Sequence, residues 1–208
     1  PPRTLYVLAS KSGTTIEPNS LAAHFEHRLK AHDVHDWARH FVAITDAGTA
    51  LALRARDEGF RETFINPSDI GGRFSALSYF GLVPAALMGQ DLDAIVGWGE
   101  AMLAAAEPGE GDVTANPAAG LGLLMGAGAR AGRDKLTLVL PETLEPFGLW
   151  VEQLVAESTG KGGVGVVPIC GEREADGARR GHDRLFVRLH HAGLHASPPV
   201  RSPDSSDQ

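Results

Sequence analysis

The chain of 208 residues contains a single cysteine, Cys170, and this scarcity excludes a fold held by internal disulfides. One thiol is typical of a protein in a reducing compartment, so we expect a cytoplasmic protein. No uninterrupted apolar stretch reaches the roughly 18–20 residues that a membrane-spanning helix needs. No charged start followed by an apolar segment indicates a signal peptide. We therefore expect no membrane partner.

Positive charge is also scarce. Lys and Arg number 19 against 26 Asp and Glu, which gives a formal net charge of −7. A protein that follows nucleic-acid phosphates usually has the opposite balance, so no nucleic-acid partner is expected. Glycine, in contrast, is abundant at 25 residues. That number favours an α/β fold, whose short loops need tight turns and close backbone approaches.

Short apolar runs alternate with helical patterns along the chain. We predict strands at 4–9, 41–45, 62–65, 136–140, 164–169 and 185–189. We predict helices at 17–30, 47–57, 74–88, 93–106, 117–131 and 144–158. The alternation predicts an α/β fold with a parallel sheet that has helices on both sides. We expect the first strand, 4–9, to be covered on both faces.

The pattern divides the chain into three parts. Residues 1–106 form a first domain that is nearly complete, and 107–192 form part of a second. The tail, 193–208, is dominated by Ser, Pro and Asp, so we predict that it is disordered. Because the chain opens with Pro1-Pro2-Arg3 almost directly on a strand, we expect a fragment of a longer protein.

A hydroxyl-rich loop follows the first predicted strand and leads into the first predicted helix. Its members are Ser10, Lys11, Ser12, Gly13, Thr14 and Thr15. Hydroxyls and backbone N–H groups before a helix, at the carboxyl end of a strand, favour an anion, and Lys11 adds a positive charge. The loop therefore predicts a phosphate site. The alternative is a polar turn in which Thr15 caps the helix.

Nucleotide-binding patterns are incomplete in this sequence. Gly160-Lys161 has Val155 where a phosphate-binding P-loop needs its first glycine. Gly120-Leu121-Gly122 has Met125 in place of the third glycine of a dinucleotide fingerprint, and no strand precedes it. The sequence therefore gives little support for nucleotide binding.

Two further segments carry groups suited to proton transfer. Gly71-Gly72-Arg73 lies between a strand and a helix, where Arg73 could hold a developing oxyanion or simply pair with a nearby carboxylate. Gln153 and Glu157 are four residues apart, on one helical face. At a helix C-terminus the dipole disfavours the ionised carboxylate, which suits a base that works near neutral pH. The alternative is a solvated glutamate in the last turn.

The three segments resemble, in order, three signatures of the glucose-6-phosphate isomerase family: residues 10–17, 71–75 and 157–161. The stretch 64–92, with Asn-Pro-Ser-Asp-Ile at 66–70 and Tyr-Phe-Gly-Leu-Val-Pro at 79–84, looks most like the isomerase half of bacterial bifunctional transaldolase/glucose-6-phosphate isomerases. The resemblance covers roughly residues 4–190. No transaldolase-like segment is present.

The resemblance implies two sugar isomerase (SIS) domains, each a flavodoxin-like αβα sandwich, with the substrate between them. It assigns the phosphate of the substrate to four side chains: Ser10, Lys11, Ser12 and Thr15. Gly72 and Arg73 match the pair that steadies an enediolate. Glu157 matches the base that moves a proton between C2 and C1, and Gln153 matches a glutamine of the family.

The implied reaction is the reversible conversion of glucose 6-phosphate to fructose 6-phosphate through a cis-enediol, a step of glycolysis and gluconeogenesis. The resemblance implies no metal, no organic cofactor, and a homodimer. The chain lacks the N-terminal strand and helix that supply another phosphate-contacting loop in the family. The ring-opening histidine and a late lysine of the family have no match here either.

Three alternatives stay open. The chain could be an SIS module that binds a phosphosugar without catalysis, or an SIS isomerase of another sugar phosphate. A side activity on mannose 6-phosphate stays open as well, because the enediol loses the C2 stereochemistry. The third alternative is a transition-metal site among His24, His27, His32, His35 and His40. No cysteine or signature carboxylate completes that site, so an exposed polar face is the expectation.

Overall fold

The computed structural model describes residues 3–107, 109, 113–172 and 181–190. The chain divides into two compact units, Pro1–Glu107 and Pro108–Gln208. Each unit contains a three-stranded parallel sheet together with helices, which confirms the α/β fold class. Residues 193–208, the predicted disordered tail, lie outside the described part.

The sheet of the first unit has the order β1-β2-β3, all parallel. Its elements, in chain order, are β1 (Tyr6–Ala9), α1 (Ile16–Ala31), β2 (Phe41–Asp46), α2 (Ala50–Glu58) and β3 (Glu62–Asn66). All six residues of β2 are buried, so both of its faces are covered. At β1 the expectation of two covered faces is wrong. Val7 is 37% exposed, because β1 lies at the edge of the described sheet.

One apolar core joins α1 and α2 to the sheet of the first unit. Leu8, Ala43, Leu29 and Leu51 are among its buried members. Phe41, which is 1% exposed, stacks on the rings of Tyr6 and Phe60. Tyr6 in turn stacks on Phe25. Burial of a side chain of that size contributes about 1.5–3 kcal/mol. This core holds the carboxyl edge of β1 and β2 in place.

The segment after β3 differs from the predicted single helix at 74–88. A 3₁₀ helix, Gly72–Leu77, ends at Ser78, and α3 (Tyr79–Leu87) starts anew. The Ser78 hydroxyl accepts a hydrogen bond from Phe80 N at 3.3 Å, as an N-cap does. Gly81 permits the tight turn, because a Cβ atom there would lie 1.9 Å from the carbonyl oxygen of Ala76. Helix α4 (Leu92–Ala105) completes the unit.

The second unit has the strand order β5-β4-β6, also parallel. Its elements are α5 (Pro117–Arg130), β4 (Lys135–Val139), α6 (Glu145–Thr159), β5 (Val167–Ile169) and β6 (Arg184–Arg188). Leu136, Leu138 and Val166 form its buried core. Strand β5 is shorter than the predicted 164–169, because Lys161 and Val164 pair across a turn whose glycines have positive φ.

No helix in the described part of the chain is long and apolar enough to span a bilayer. Across residues 3–107, 109, 113–172 and 181–190, no three His, Cys, Asp or Glu side chains gather as ligands of a metal ion would. Four of the five clustered histidines are exposed, as expected. His40 departs from the expected polar face, since it is buried with Nδ1 2.8 Å from the carbonyl oxygen of Thr4.

Candidate functional site

The hydroxyl-rich loop, residues 10–15, leaves β1 at the carboxyl edge of the first sheet and stays attached to β2. Ser10 N donates to the carbonyl oxygen of Ile44 at 3.0 Å. Asp46 N donates to the carbonyl oxygen of Lys11 at 3.2 Å, and Thr45 Oγ1 donates to the same oxygen at 3.3 Å. The backbone of the loop is therefore fixed to the end of a buried strand before helix α1 begins.

Hydroxyl groups bond to one another within this loop. Ser10 Oγ lies 2.9 Å from Thr15 Oγ1 and accepts from Gly13 N at 3.1 Å. Ser12 Oγ lies 2.8 Å from Thr14 Oγ1 on the exposed side. Thr15 is the N-cap residue of α1, but its hydroxyl makes no capping bond to the described helix. The side-chain capping alternative is therefore wrong, since this hydroxyl pairs with Ser10 instead.

The backbone at Gly13 leaves no room for a side chain. Its φ is 71°, in the left-handed region that favours glycine. A Cβ atom at this position would lie 2.8 Å from Leu51 N and 3.2 Å from Thr49 Cβ, at the start of α2. The loop is thus held between the sheet and the first turn of α2.

Lys11 joins the carboxyl ends of all three strands in the first sheet. It follows β1, and its ammonium forms an ion pair with Asp46 at the end of β2. The same Nζ donates to the carbonyl oxygen of Ser68, in the loop after β3, at 2.8 Å. Lys11 is about one-third exposed at its side chain, whereas Asp46 is nearly buried. These two contacts therefore fix the position of the Lys11 ammonium at the carboxyl edge of the first sheet.

The Gly72–Arg73 pair lies in the loop that leaves β3, at the start of the 3₁₀ helix. Gly71 is extended, and Phe74 N donates to its carbonyl oxygen at 2.9 Å. Ser75 Oγ donates to the carbonyl oxygen of Gly72 at 2.6 Å. Arg73 is half-buried. Because Lys11 bonds to Ser68 in this loop, the structure brings the first and second predicted segments to the same edge of one sheet.

The third segment belongs to the second unit, in the last turns of α6. Gln153 Nε2 donates to Glu157 Oε1 at 3.2 Å, so the two exposed side chains share one face of the helix. Thr159 Oγ1 donates to the carbonyl oxygen of Val155 at 2.7 Å and accepts from Val166 N at 2.9 Å. These bonds fix the helix end that carries Glu157 to the residue before β5.

Sequence reasoning assigned no role to Asp46, a carboxylate that pairs with Lys11 at the edge of the first sheet. A signal was available, because Asp46 directly follows the apolar run 41–45 and so falls at the carboxyl end of a buried strand. The apolar run predicts a strand that ends at Thr45, one residue before Asp46. In the structure Asp46 closes β2 and is 9% exposed.

The chain is similar to glucose-6-phosphate isomerases. That of Synechococcus sp. strain CC9605 is 38% identical over 165 residues, which cover 76% of this chain and 30% of that protein. That of Lactobacillus gasseri is 39% identical over 168 residues, with 77% and 36% covered. The chain therefore spans about a third of the length of these curated relatives. No family model matches the chain.

Two solved structures share the fold. A hypothetical protein from Thermus thermophilus superposes with a TM-score of 0.79 at 29% identity, over 97% of this chain and 51% of that one. A glucose-6-phosphate isomerase from Chlamydia trachomatis superposes with a TM-score of 0.55 at 25% identity, over 81% of this chain and 33% of that one.

Proposed function

We propose that the chain is part of a glucose-6-phosphate isomerase, which interconverts glucose 6-phosphate and fructose 6-phosphate. One observation carries the proposal: the loop 10–15 forms a hydroxyl- and lysine-lined cradle at the carboxyl edge of a parallel sheet. It does so in a chain that is 38% identical over 76% of its length to a curated enzyme of that activity. Ligands of open α/β sheets bind at this edge.

The cradle suits the phosphate of the substrate. Ser12 and Thr15 are exposed and carry hydroxyls that can turn from their neighbours in the loop to an anion. Ser10 is buried, and its hydroxyl fixes the loop through hydrogen bonds with Gly13 N and the Thr15 hydroxyl. Lys11 bonds to Asp46 and Ser68, which leaves one ammonium proton without a partner among the described residues. These groups are the phosphate site: Ser10, Lys11, Ser12 and Thr15.

Proton transfer requires a base and a partner for the developing oxyanion. Glu157 takes the proton from C2 of the open-chain aldose and returns it to C1. The hydroxyl proton of O2 passes to O1 at the enediol stage, so that the carbonyl group moves from C1 to C2. Gln153 holds one carboxylate oxygen of Glu157 through its amide N–H, and so favours a fixed orientation. Arg73, preceded by Gly72, supplies positive charge for the enediolate oxygen. Binding of the remote phosphate places the two carbons for this chemistry.

The finer features of the proposal follow from the family resemblance. Both units are SIS domains, the working assembly is a homodimer, and the protein acts in the cytoplasm in glycolysis and gluconeogenesis. Reaction by proton transfer alone needs no metal or organic cofactor. A transaldolase half and a longer parent polypeptide stay predictions.

A phosphosugar-binding module without catalysis is the second candidate. It is favoured by the distribution of the site residues, since the phosphate cradle and Arg73 all lie in the first unit. Only Gln153 and Glu157, which a sensor would not need, lie in the second. The same cradle would also accept mannose 6-phosphate.

Glu157→Gln tests the proposal, both in the 208-residue chain and in the full reading frame that contains it. A coupled assay measures turnover of fructose 6-phosphate, and calorimetry measures binding of glucose 6-phosphate. We expect turnover to fall about 10²–10⁴-fold, as loss of an acid–base catalyst does, with binding unchanged. Glu152→Gln, an exposed carboxylate on the same helix, is the control and keeps wild-type turnover. Retained turnover in Glu157→Gln would remove Glu157 from the mechanism, whereas binding without turnover in every wild-type form would favour the binding module.

A further inference from the structure

Asp46 pairs with Lys11 of the cradle but has no role in the proposed reaction. Its carboxylate is nearly buried at the end of β2, and one oxygen, Oδ2, pairs with Lys11 Nζ. The other oxygen, Oδ1, is buried without a hydrogen-bond partner among the described residues. A buried acceptor in that state destabilises the fold. A carboxylate kept for stability alone would be expected to use both oxygens.

The backbone of Asp46 is fixed from two sides. Asp46 N donates to the carbonyl oxygen of Lys11 at 3.2 Å, and Thr49 Oγ1 donates to the carbonyl oxygen of Asp46 at 3.1 Å. Asp46 also pairs with Asn66 of β3 in the parallel ladder. The carboxylate is therefore attached to a rigid, buried strand.

Lys11, in contrast, has a flexible side chain that reaches solvent. A lysine side chain loses rotamer entropy when it binds a ligand in one geometry. Asp46 and the carbonyl oxygen of Ser68 occupy two of its three N–H donors. The third donor is then confined to one direction before any ligand arrives. This ordering lowers the entropic cost of binding an anion.

We propose that Asp46 is a positioning residue, which holds the Lys11 ammonium in the geometry that takes up the phosphate of the sugar. This inference rests on the proposed function of the cradle. Asp46 acts through Lys11 and does not itself contact the ligand. Its negative charge opposes an anion, so the preorganisation of Lys11 must outweigh that repulsion.

A double-mutant cycle on the 208-residue chain tests this role, with glucose 6-phosphate as the probe in calorimetry. We expect Lys11→Ala and Asp46→Ala each to weaken binding about tenfold or more. The double variant should bind no more weakly than Lys11→Ala alone, because Asp46 has nothing to position once Lys11 is gone. Asp46→Asn keeps an oxygen acceptor for Lys11 and should restore binding to within about threefold of the wild type. If Asp46→Ala does not fold, Asp46→Asn still allows binding to be measured in a variant that lacks the charge of Asp46.

Glu26→Ala provides the matched control. Glu26 is a partly buried carboxylate of the same unit that pairs with Lys30 and Arg54, away from the loop 10–15. Its removal should lower the unfolding temperature and leave the affinity for glucose 6-phosphate unchanged.

Four outcomes overturn the inference. Tighter binding by Asp46→Ala would show that repulsion outweighs positioning. Additive losses in the double variant would show that Asp46 acts independently of Lys11. Unchanged binding by Asp46→Ala, while Lys11→Ala binds weakly, would remove Asp46 and leave the proposed function intact. If Lys11→Ala binds as well as the wild type, the phosphate cradle itself fails, and the role of Asp46 fails with it.

Discussion

The two units build similar sheets but present their candidate groups at opposite ends of them. In the first unit the loop 10–15 and Arg73 follow the carboxyl ends of β1 and β3. In the second, Glu157 lies at the C-terminal end of α6, which Thr159 ties to Val166, just before the amino end of β5. The rule that ligands bind at the carboxyl edges of parallel sheets therefore predicts the location of the phosphate cradle but not that of the proposed base, Glu157.

The units also differ in how firmly they hold these groups. Among the described residues, nine buried side chains and a stacked aromatic cluster support the first sheet, whereas three buried side chains form the core of the second. The cradle is fixed by backbone bonds to β2, and Glu157 depends on the end of one helix. The comparison predicts that substitutions in the first unit cost more stability than matched ones in the second.

Removal of a core side chain from each unit should give the largest change in unfolding free energy, and so tests that difference most directly. We expect Phe41→Ala to lower the free energy of unfolding by about 3–5 kcal/mol, because the surrounding aromatic stack cannot close the cavity. Leu136→Ala, in the smaller core, should cost nearer the lower end of ~2–5 kcal/mol. Denaturant unfolding measures both values, and a larger loss for Leu136→Ala would reverse the comparison.

Gly13→Ala sharpens the same comparison at the cradle. The added methyl group would meet Leu51 N at 2.8 Å in a backbone with φ 71°, so we expect a loss of unfolding free energy of about 2–4 kcal/mol. Gly59→Ala is the control, since Gly59 has φ 75° but nothing within 4 Å of its Cβ position. It should cost about 1 kcal/mol from the backbone alone. Equal losses in the two variants would mean that the contact with α2 contributes nothing.

Thr159→Val tests the attachment of the helix end that carries Glu157. The substitution removes the acceptor for Val166 N and the donor to Val155. We expect a loss of about 1 kcal/mol in unfolding free energy, together with lower turnover at unchanged affinity for glucose 6-phosphate. Denaturant unfolding and the coupled assay check the two parts. Weaker binding would indicate that this helix end shapes the phosphate site as well.

The smallest expected effect concerns Cys170, in the second unit. Partial burial raises the pKa of its thiol, and the charge of Glu152 raises that pKa further. The thiolate is therefore a smaller fraction near neutral pH, and alkylation by iodoacetamide should be slow and accelerate as the pH rises. Glu152→Gln should accelerate alkylation slightly at a fixed pH, because it lowers the pKa of the thiol. A rate equal to that of free cysteine would indicate that the second unit opens readily.

Local sequence patterns predicted most of the elements and missed the features that depend on contacts across the chain. Apolar runs located β2 and β4 within one residue. The predicted helix at 74–88 failed, because its interruption at Ser78 depends on a capping bond and on the absence of a side chain at Gly81. Neither is visible in the apolar periodicity of that segment.

The same holds for the site: local sequence predicts some of its residues, and others depend on contacts between residues far apart in the chain. The cradle was predictable, since hydroxyls, a lysine and a glycine follow a strand directly. The role of Glu157 came mainly from the family resemblance, because an exposed glutamate in a last helical turn is commonplace. Asp46 was missed, since its contact with Lys11 joins residues 35 positions apart. A pairing between two strand ends requires the parallel register, which the sequence alone does not provide.

The close fit of Gly13 over the start of α2 has a consequence for protein engineering. Thr49 and Leu51 touch no ligand in the proposed mechanism, yet they set the floor on which the loop rests. A larger side chain at either position would lift that loop as a methyl group at Gly13 would. Attempts to adapt this scaffold to other phosphorylated compounds should therefore vary the loop and the first turn of α2 together.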